Sequence, residues 1–154
     1  MGTIPLEATS SNLRRDVTPV RVLLVEDNQW DADLFKSCVG DLADVTVVQS
    51  GGEAFGRIFR QGVFASAPLP QLIILDLSIP VMSGHELLNA IKAHSTTLHI
   101  PVIVWSGSKN PKDIRRAYEL GACSYMVKET SLAEMEAAIH AFAEFWLRVA
   151  RYQE

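Results

Sequence analysis

Acidic side chains follow two apolar segments of this chain at the point where each segment ends. Glu26 and Asp27 come directly after one segment, and Asp76 comes directly after another. Carboxylates that lie close together repel one another, and a cation between them relieves that repulsion. Mg²⁺ is a small, hard cation that prefers oxygen ligands. We therefore predict a Mg²⁺ site formed by Asp27, Asp76, the backbone carbonyl of Ser78 and water.

A hydroxyl group and an ammonium group follow two further apolar segments. Ser106 and Gly107 end one of them, and Lys128 ends the other. A carboxylate held beside Mg²⁺, a lysine and a hydroxyl can attack a phosphoryl group and form an acyl phosphate. Mg²⁺ and Lys128 would neutralise charge on the transferring oxygens, and Ser106 would bond one of those oxygens. The pattern therefore predicts phosphoryl transfer to Asp76.

The segments that carry these residues alternate with helical patterns along the chain. Five short apolar runs rich in β-branched residues predict buried strands at 20–25, 44–49, 72–75, 101–105 and 124–127. Between and after them, apolar residues recur at three- and four-residue spacing, which predicts five helices. The alternation predicts an α/β fold, a doubly wound five-stranded parallel sheet with helices on both faces. Ligands of such sheets bind beyond the carboxyl ends of the strands, so the candidate residues should converge there.

Length and composition limit the class of protein. The chain has 154 residues, a formal net charge of −4 and no apolar run long enough to span a membrane. These values argue against a broad nucleic-acid-binding surface and against a membrane protein. We predict one domain at 19–148, a polar tail at 1–18, and the end of the last helix or a second tail at 149–154. The N-terminus has no signal-peptide pattern, which predicts a cytoplasmic location with Cys38 and Cys123 reduced, in or near the core.

Four motifs together resemble the response-regulator receiver domain of two-component signalling, over roughly residues 20–148. The motifs are LLVEDN, LIILDLSIPVMSG, PVIVWSGS and GACSYMVK. The resemblance implies the flavodoxin-like strand order 2-1-3-4-5. It also implies that a histidine kinase delivers the phosphoryl group to Asp76, with Glu26 helping to place the waters of the Mg²⁺ ion. A receiver of this kind accepts phosphate and turns over no separate substrate.

The same resemblance implies a switch that reads the phosphorylated state. Ser106, Gly107 and Lys128 would bind the phosphoryl group, and Tyr125 falls on the aromatic switch position. Receivers usually have proline after this lysine, whereas Glu129 follows it here, and we expect a trans peptide bond because a cis bond before a non-proline residue costs about 2.5–4 kcal/mol. The VKETSL junction and a late FWL resemble the single-domain subgroup that partners bacterial and cyanobacterial phytochrome kinases. A phytochrome-type kinase is therefore the predicted partner.

The last predicted helix has more apolar surface than one sheet face can bury. It begins near Ser131, with Glu134 as a capping-box partner, and runs to Arg148. A core stripe is predicted at Leu132, Met135, Ile139, Phe142 and Trp146, and a second apolar face at Ala138, Ala141, Phe145 and Leu147. We predict a homodimer whose interface includes Phe145, Trp146 and Leu147. Alternatively, Phe145 or Leu147 packs against the N-terminal tail.

Two other functions are compatible with parts of the pattern. The chain could be an interaction module that is constitutive and never phosphorylated, or a phosphohydrolase that uses Asp76 as its nucleophile. A phosphohydrolase resembling the haloacid-dehalogenase family would need a second aspartate two positions later, where Ser78 stands. Asp31 and Asp33 lie near the start of the first helix, where their charges complement the helix dipole. We interpret them as helix-stabilising acids rather than as ligands.

Overall fold

Five parallel strands form a single sheet in a computed structural model that describes residues 18–153. The strands are β1 (Val20–Val25), β2 (Ala43–Val48), β3 (Leu72–Leu75), β4 (Val102–Ser106) and β5 (Ser124–Val127). Their order across the sheet is β2-β1-β3-β4-β5. This confirms the predicted fold class and strand order, and each strand lies within one residue of its predicted range.

Five helices cover the two faces of the sheet. They are α1 (Gln29–Val39), α2 (Gly51–Ile58), α3 (Gly84–Ala93), α4 (Pro111–Glu119) and α5 (Leu132–Trp146). Short 3-10 turns lie at Gly40–Leu42 and Gly62–Phe64. Every helix begins after a polar residue whose side chain accepts a hydrogen bond from a backbone N–H of the first turn, which satisfies a donor that the helix itself cannot pair. The predicted cap at Ser131 is among them.

The two faces of the sheet have separate apolar cores. Helices α2, α3 and α4 pack on one face, where Ile58, Leu88 and Ala117 are buried. Helices α1 and α5 pack on the other, where the ring of Phe35 lies 5.7 Å from that of Trp105 and 5.6 Å from that of Phe142. Because both faces are covered, the central strands can be apolar throughout, and all four residues of β3 are buried.

The last helix differs from its prediction at both ends. Leu132, predicted in the core stripe, is 50% exposed, whereas Leu147, predicted on the outer face, is 1% exposed and packs in the core. Leu147 lies one helical turn after Ala143 and two after Ile139, so it shares their buried side. The helix ends at Trp146, whose carbonyl accepts a hydrogen bond from the Tyr152 hydroxyl at 2.6 Å.

Several smaller expectations can be compared with the described residues. No cis peptide bond occurs within residues 18–153, so the Lys128–Glu129 bond is trans as predicted. Cys38 is half-buried, but the placement of Cys123 in or near the core was wrong, because its side chain is exposed. In the same range no helix has both the length and the apolarity needed to cross a membrane. Almost all of the predicted tail at 1–18 lies outside the described residues, and so does its proposed packing against Phe145 or Leu147.

Candidate functional site

The carboxyl ends of the strands bring the predicted chemical groups to one place, which we call the rim. The rim consists of Glu26, Asp27, Asp76, Ser106 and Lys128, each at the end of β1, β3, β4 or β5 or within two residues of it. Backbone hydrogen bonds of the sheet continue past the strand ends and fix these residues. The N–H of Asp76 donates to the carbonyl of Val25 at 3.0 Å, and the N–H of Lys128 donates to the carbonyl of Ser106 at 2.8 Å.

Three carboxylates of the rim form an acidic cluster, defined as Glu26, Asp27 and Asp76. One oxygen from each lies within 4.8 Å of the others. Glu26 and Asp76 are buried, whereas Asp27 is exposed, so the cluster can be reached from solvent. Carboxylate oxygens at this spacing suit a hard divalent cation. The residues present therefore fit the predicted metal site.

Burial of Glu26 supports the same conclusion. Burial raises the pKa of Glu26 to about 7, an effect that its hydrogen bond to Lys128 opposes and the charge of Asp76 increases. A cation bound among the three carboxylates would favour the ionised form of this side chain. The backbone N–H of Ser78 donates to Asp76 Oδ1 at 3.2 Å and helps to orient this carboxylate. A metal contact from the Ser78 carbonyl stays a prediction.

Lys128 is the cationic centre of the rim. Its Nζ lies 2.5 Å from Glu26 Oε1, 2.9 Å from Asp31 Oδ2 and 3.0 Å from Asp76 Oδ2. It also lies 5.1 Å from the centre of the Trp105 ring, within the range of a cation–π interaction. Burial lowers the pKa of Lys128, but the hydrogen bonds that it donates to Glu26 and Asp31 and the charge of Asp76 outweigh this effect, so the pKa is raised. The side chain is a fixed ammonium ion.

Ser106 and Tyr125 are linked through Ser108. The Ser106 hydroxyl oxygen is fully buried and accepts a hydrogen bond from the N–H of Ser108 at 3.2 Å. The Tyr125 hydroxyl donates to the carbonyl of Ser108 at 2.8 Å, and the Ser108 hydroxyl donates to Asp113 Oδ2 at 2.5 Å. Gly107 has open space where a Cβ would stand. A change at Ser106 can therefore reach both Tyr125 and α4 through one residue.

Comparison with known proteins identifies the family. The family model described as "response regulator receiver domain" matches residues 22–140, which is more than half of the chain. The chain belongs to the response regulator receiver domain family. This receiver is 31% identical over 132 residues to response regulator Rcp1 of Synechocystis sp., a match that covers 84% of this chain and 90% of Rcp1.

Solved structures of similar proteins agree with this assignment. One is the crystal structure of the phosphorylated cyanobacterial phytochrome response regulator RcpA, with a TM-score of 0.84 and 34% identity, covering 88% of this receiver and 99% of that chain. Another is the crystal structure of the Mn²⁺-bound form of response regulator Rcp1, with a TM-score of 0.85 and 29% identity, covering 88% of this receiver and 100% of that chain. Rcp1 therefore binds a divalent cation, in keeping with the acidic cluster described here.

One residue of the site in this receiver was not predicted. Asp31 was interpreted as a helix-stabilising acid, and it does lie in the first turn of α1, but its carboxylate also contacts Lys128. The helix is held in place by Asn28, whose side chain accepts a hydrogen bond from the N–H of Asp31. Asp31 follows Asp27 by four residues, which places it in the first turn of the helix that begins just after the acidic pair. That spacing was the available signal.

Proposed function

We propose that this receiver accepts a phosphoryl group on Asp76 from the phosphohistidine of a histidine kinase. The observation that carries the proposal is the position of the Asp76 carboxylate. One side of it faces Lys128 Nζ at 3.0 Å, and it shares the acidic cluster with Glu26 and Asp27. A carboxylate and a phosphoryl group are both anionic and repel each other, so the attack needs positive charge nearby. Lys128 supplies one such charge, and a cation bound by the acidic cluster would supply a second.

The transfer needs one bond to form and one to break. A carboxylate oxygen of Asp76 attacks phosphorus, the phosphorus–nitrogen bond of the phosphohistidine breaks, and its electron pair returns to the imidazole, which takes a proton. Lys128 offsets the charge on the transferring oxygens. Mg²⁺, when bound by Asp27, Asp76 and the Ser78 carbonyl with Glu26 holding its waters, supplies further neutralisation of the same oxygens.

The network around Ser108 supports a role in switching. Ser106 and Gly107 would bind a phosphoryl oxygen, and movement of the Ser106 hydroxyl toward that oxygen would stretch or break the hydrogen bond that it accepts from Ser108. Tyr125 is bonded to the carbonyl of the same Ser108. Phosphorylation would thereby alter the surface around Tyr125 and α4, a local change read by a partner.

The partner kinase is proposed to be of the phytochrome type. The support is similarity to Rcp1 and to the solved structure of the phosphorylated cyanobacterial phytochrome response regulator RcpA. Both matches extend over more than four fifths of this receiver, beyond the rim itself.

A homodimer through the outer face of α5 is also proposed. Phe145 is 53% exposed, and its ring stacks edge-on against Trp146 with ring centres 5.3 Å apart. These two side chains line a shallow groove with Met126, Ala138 and Ala141. Exposed aromatic side chains beside a groove favour a protein contact. Leu147 is no longer part of this proposal, because it is buried.

The proposed phosphoryl transfer is tested by intact mass. The protein is incubated with a small-molecule phosphodonor such as acetyl phosphate and Mg²⁺, alongside Asp76→Asn. We expect one phosphoryl group on the wild type and none on the variant, since an amide oxygen is a much weaker nucleophile. A wild-type protein that neither gains mass nor binds Mg²⁺ would contradict the proposal and favour a constitutive interaction module. Phosphorylation of Asp76→Asn would show that the acceptor is another residue.

A further inference from the structure

Lys128 is held by three carboxylates, and one of them lies outside the acidic cluster. Its ammonium has three N–H donors, and contacts with Glu26, Asp31 and Asp76 at 3.0 Å or less can use all of them. A phosphoryl group on Asp76 brings new oxygen acceptors to the same ammonium. To bond those oxygens fully, Lys128 must release a carboxylate that it already holds.

Asp31 is the carboxylate that can be released at least cost. The Glu26 side chain has no exposed surface, so losing its cation would leave a buried carboxylate unpaired. Asp76 carries the phosphoryl group and stays beside the ammonium. The Asp31 side chain is 13% exposed, so water can replace the lysine. Asp31 therefore interacts with Lys128 more strongly before phosphorylation than after it.

The contact is fixed by the local fold of α1. Asn28 precedes the helix, and its side chain accepts a hydrogen bond from the N–H of Asp31 at 3.0 Å. The N–H of Ala32 donates to the carbonyl of Asn28, also at 3.0 Å. These bonds hold the backbone of Asp31 beside the rim. Asp33, on the same helix, is exposed and accepts instead from Gln29 Nε2 at 2.8 Å.

We propose that Asp31 is a positioning residue that retains Lys128 in the unphosphorylated receiver and weakens the hold of Lys128 on the phosphoryl group. The inference rests on the proposed function of Asp76. A group that stabilises only the unliganded state shifts the binding equilibrium toward that state. Asp31 therefore makes the free energy of binding a phosphoryl group at the rim less favourable.

The test measures, by calorimetric titration, the affinity of the Mg²⁺-loaded protein for BeF₃⁻, whose beryllium becomes tetrahedral when it bonds to a carboxylate oxygen and so resembles a phosphoryl group on that oxygen. We expect Asp31→Asn to bind BeF₃⁻ about three- to fivefold more tightly than wild type, the upper part of the range for one partly exposed ion pair. Asp33→Asn removes the same charge nearby without touching Lys128, and its affinity should stay within about twofold of wild type. Asp31→Glu should return the affinity toward the wild-type value.

A double-mutant cycle separates positioning from simple loss of charge. In a Lys128→Ala background, Asp31→Asn should change BeF₃⁻ affinity no more than Asp33→Asn does. A readout without metal is the ¹⁵N signal of the Lys128 ammonium, which should broaden in Asp31→Asn because one of three acceptors has lost its charge. Asp31→Ala replaces Asp31→Asn if the latter does not fold, with the same expectations.

The outcomes distinguish this inference from the function on which it rests. Unchanged or weaker BeF₃⁻ binding by Asp31→Asn would overturn the role of Asp31 alone. If Asp31→Asn raises the BeF₃⁻ affinity equally in the Lys128→Ala background, the role is also overturned, because the effect then does not depend on Lys128. A wild-type protein that binds no BeF₃⁻ in the presence of Mg²⁺ would overturn the proposed function together with the inference.

Discussion

Glu26 is the residue of the rim whose charge depends most on its surroundings. Its side chain is buried against Lys128 and beside Asp76, and burial raises its pKa to about 7. A carboxyl group with this pKa holds a proton over part of the neutral range when no metal is bound. Metal binding must then release that proton, which couples the metal affinity of the rim to pH.

The pH dependence of stability follows from this shift. The pKa of Glu26 is raised in the folded protein from its ordinary value of 4.5 to about 7, so the folded state binds more protons than the unfolded state between those values. The contribution of Glu26 to stability is therefore lost as the pH rises through about 7. Mg²⁺ bound in the acidic cluster would restore it by favouring the ionised carboxylate. We expect Mg²⁺ to raise the Tm more at pH 8 than at pH 6, by about 2–5 °C.

Thermal unfolding with EDTA or Mg²⁺ at the two pH values checks this expectation. Glu26→Gln serves as the control, because it keeps the shape of the side chain but cannot titrate. In this variant the rise in Tm caused by Mg²⁺ should be nearly the same at pH 6 and at pH 8. An equal rise in Tm at pH 6 and pH 8 in the wild type would show that Glu26 is already ionised before the metal binds.

At the scale of elements, the loop between β3 and α3 holds Asp76 by close backbone packing. A Cβ on Gly84, the first residue of α3, would lie 2.7 Å from the carbonyl oxygen of Asp76 and 2.6 Å from the Cα of Leu77. These atoms belong to the backbone and cannot rotate away. The start of α3 is thus pressed against the segment that carries Asp76, and its position sets the position of the carboxylate.

Gly84→Ala should therefore disturb both stability and the site. We expect a loss of about 1–3 kcal/mol in the free energy of unfolding, measured by urea denaturation, since overpacking against backbone cannot relax easily. The same variant should accept phosphoryl groups more slowly. Gly52→Ala is the matched control, because a Cβ there meets the Val81 side chain at an ordinary 3.6 Å and alanine favours the helix. Equal stability of the two variants would contradict the close packing at Gly84.

The elements also show how far the sequence could predict this site. The apolar runs locate the strand ends within one residue, and parallel strands bring their ends together, so the rim residues followed from pattern alone. The contact between Asp31 and Lys128 could not be predicted in this way. A negative charge at this position is compatible with the helix dipole and also with an ion pair to Lys128, and only the packing of α1 against the sheet shows that the ion pair forms. Leu147 was misplaced for a different reason. The predicted core stripe of α5 is buried at Met135, Ile139 and Phe142, but it was continued to Leu132 and Trp146, whereas Ala143 and Leu147 complete the buried side.

At the scale of the whole molecule, the two cores leave one large aromatic group uncovered at the end of α5. The face that contains Leu147 is closed against the sheet, and the Tyr152 hydroxyl fastens the returning chain to Trp146. Phe145 points away from this closed side and is half exposed. The proposed dimer interface is therefore confined to Phe145, Trp146 and the adjoining groove.

Phe145→Asp should convert a dimer to a monomer without unfolding it, because a charge at an exposed position disrupts an apolar contact but not the core. Light scattering gives the mass, and circular dichroism checks the fold. Leu132→Asp is the control, since Leu132 is equally exposed on the first turn of the same helix. Leu147→Asp should instead unfold the protein, because it buries a carboxylate. The same mass for wild type and Phe145→Asp would count against this interface.

The ammonium of Lys128 lies above the Trp105 ring, so the intrinsic fluorescence of Trp105 can report on the position of Lys128. Indole emission responds to a charge held near the ring, and here the charge lies 5.1 Å from the ring centre. Any event that draws Lys128 toward a phosphoryl group alters the field at that indole. The chain has two other tryptophans, Trp30 and Trp146, and replacing both with phenylalanine would leave Trp105 as the sole emitter. The occupancy of Asp76 could then be followed by fluorescence in real time, without a label.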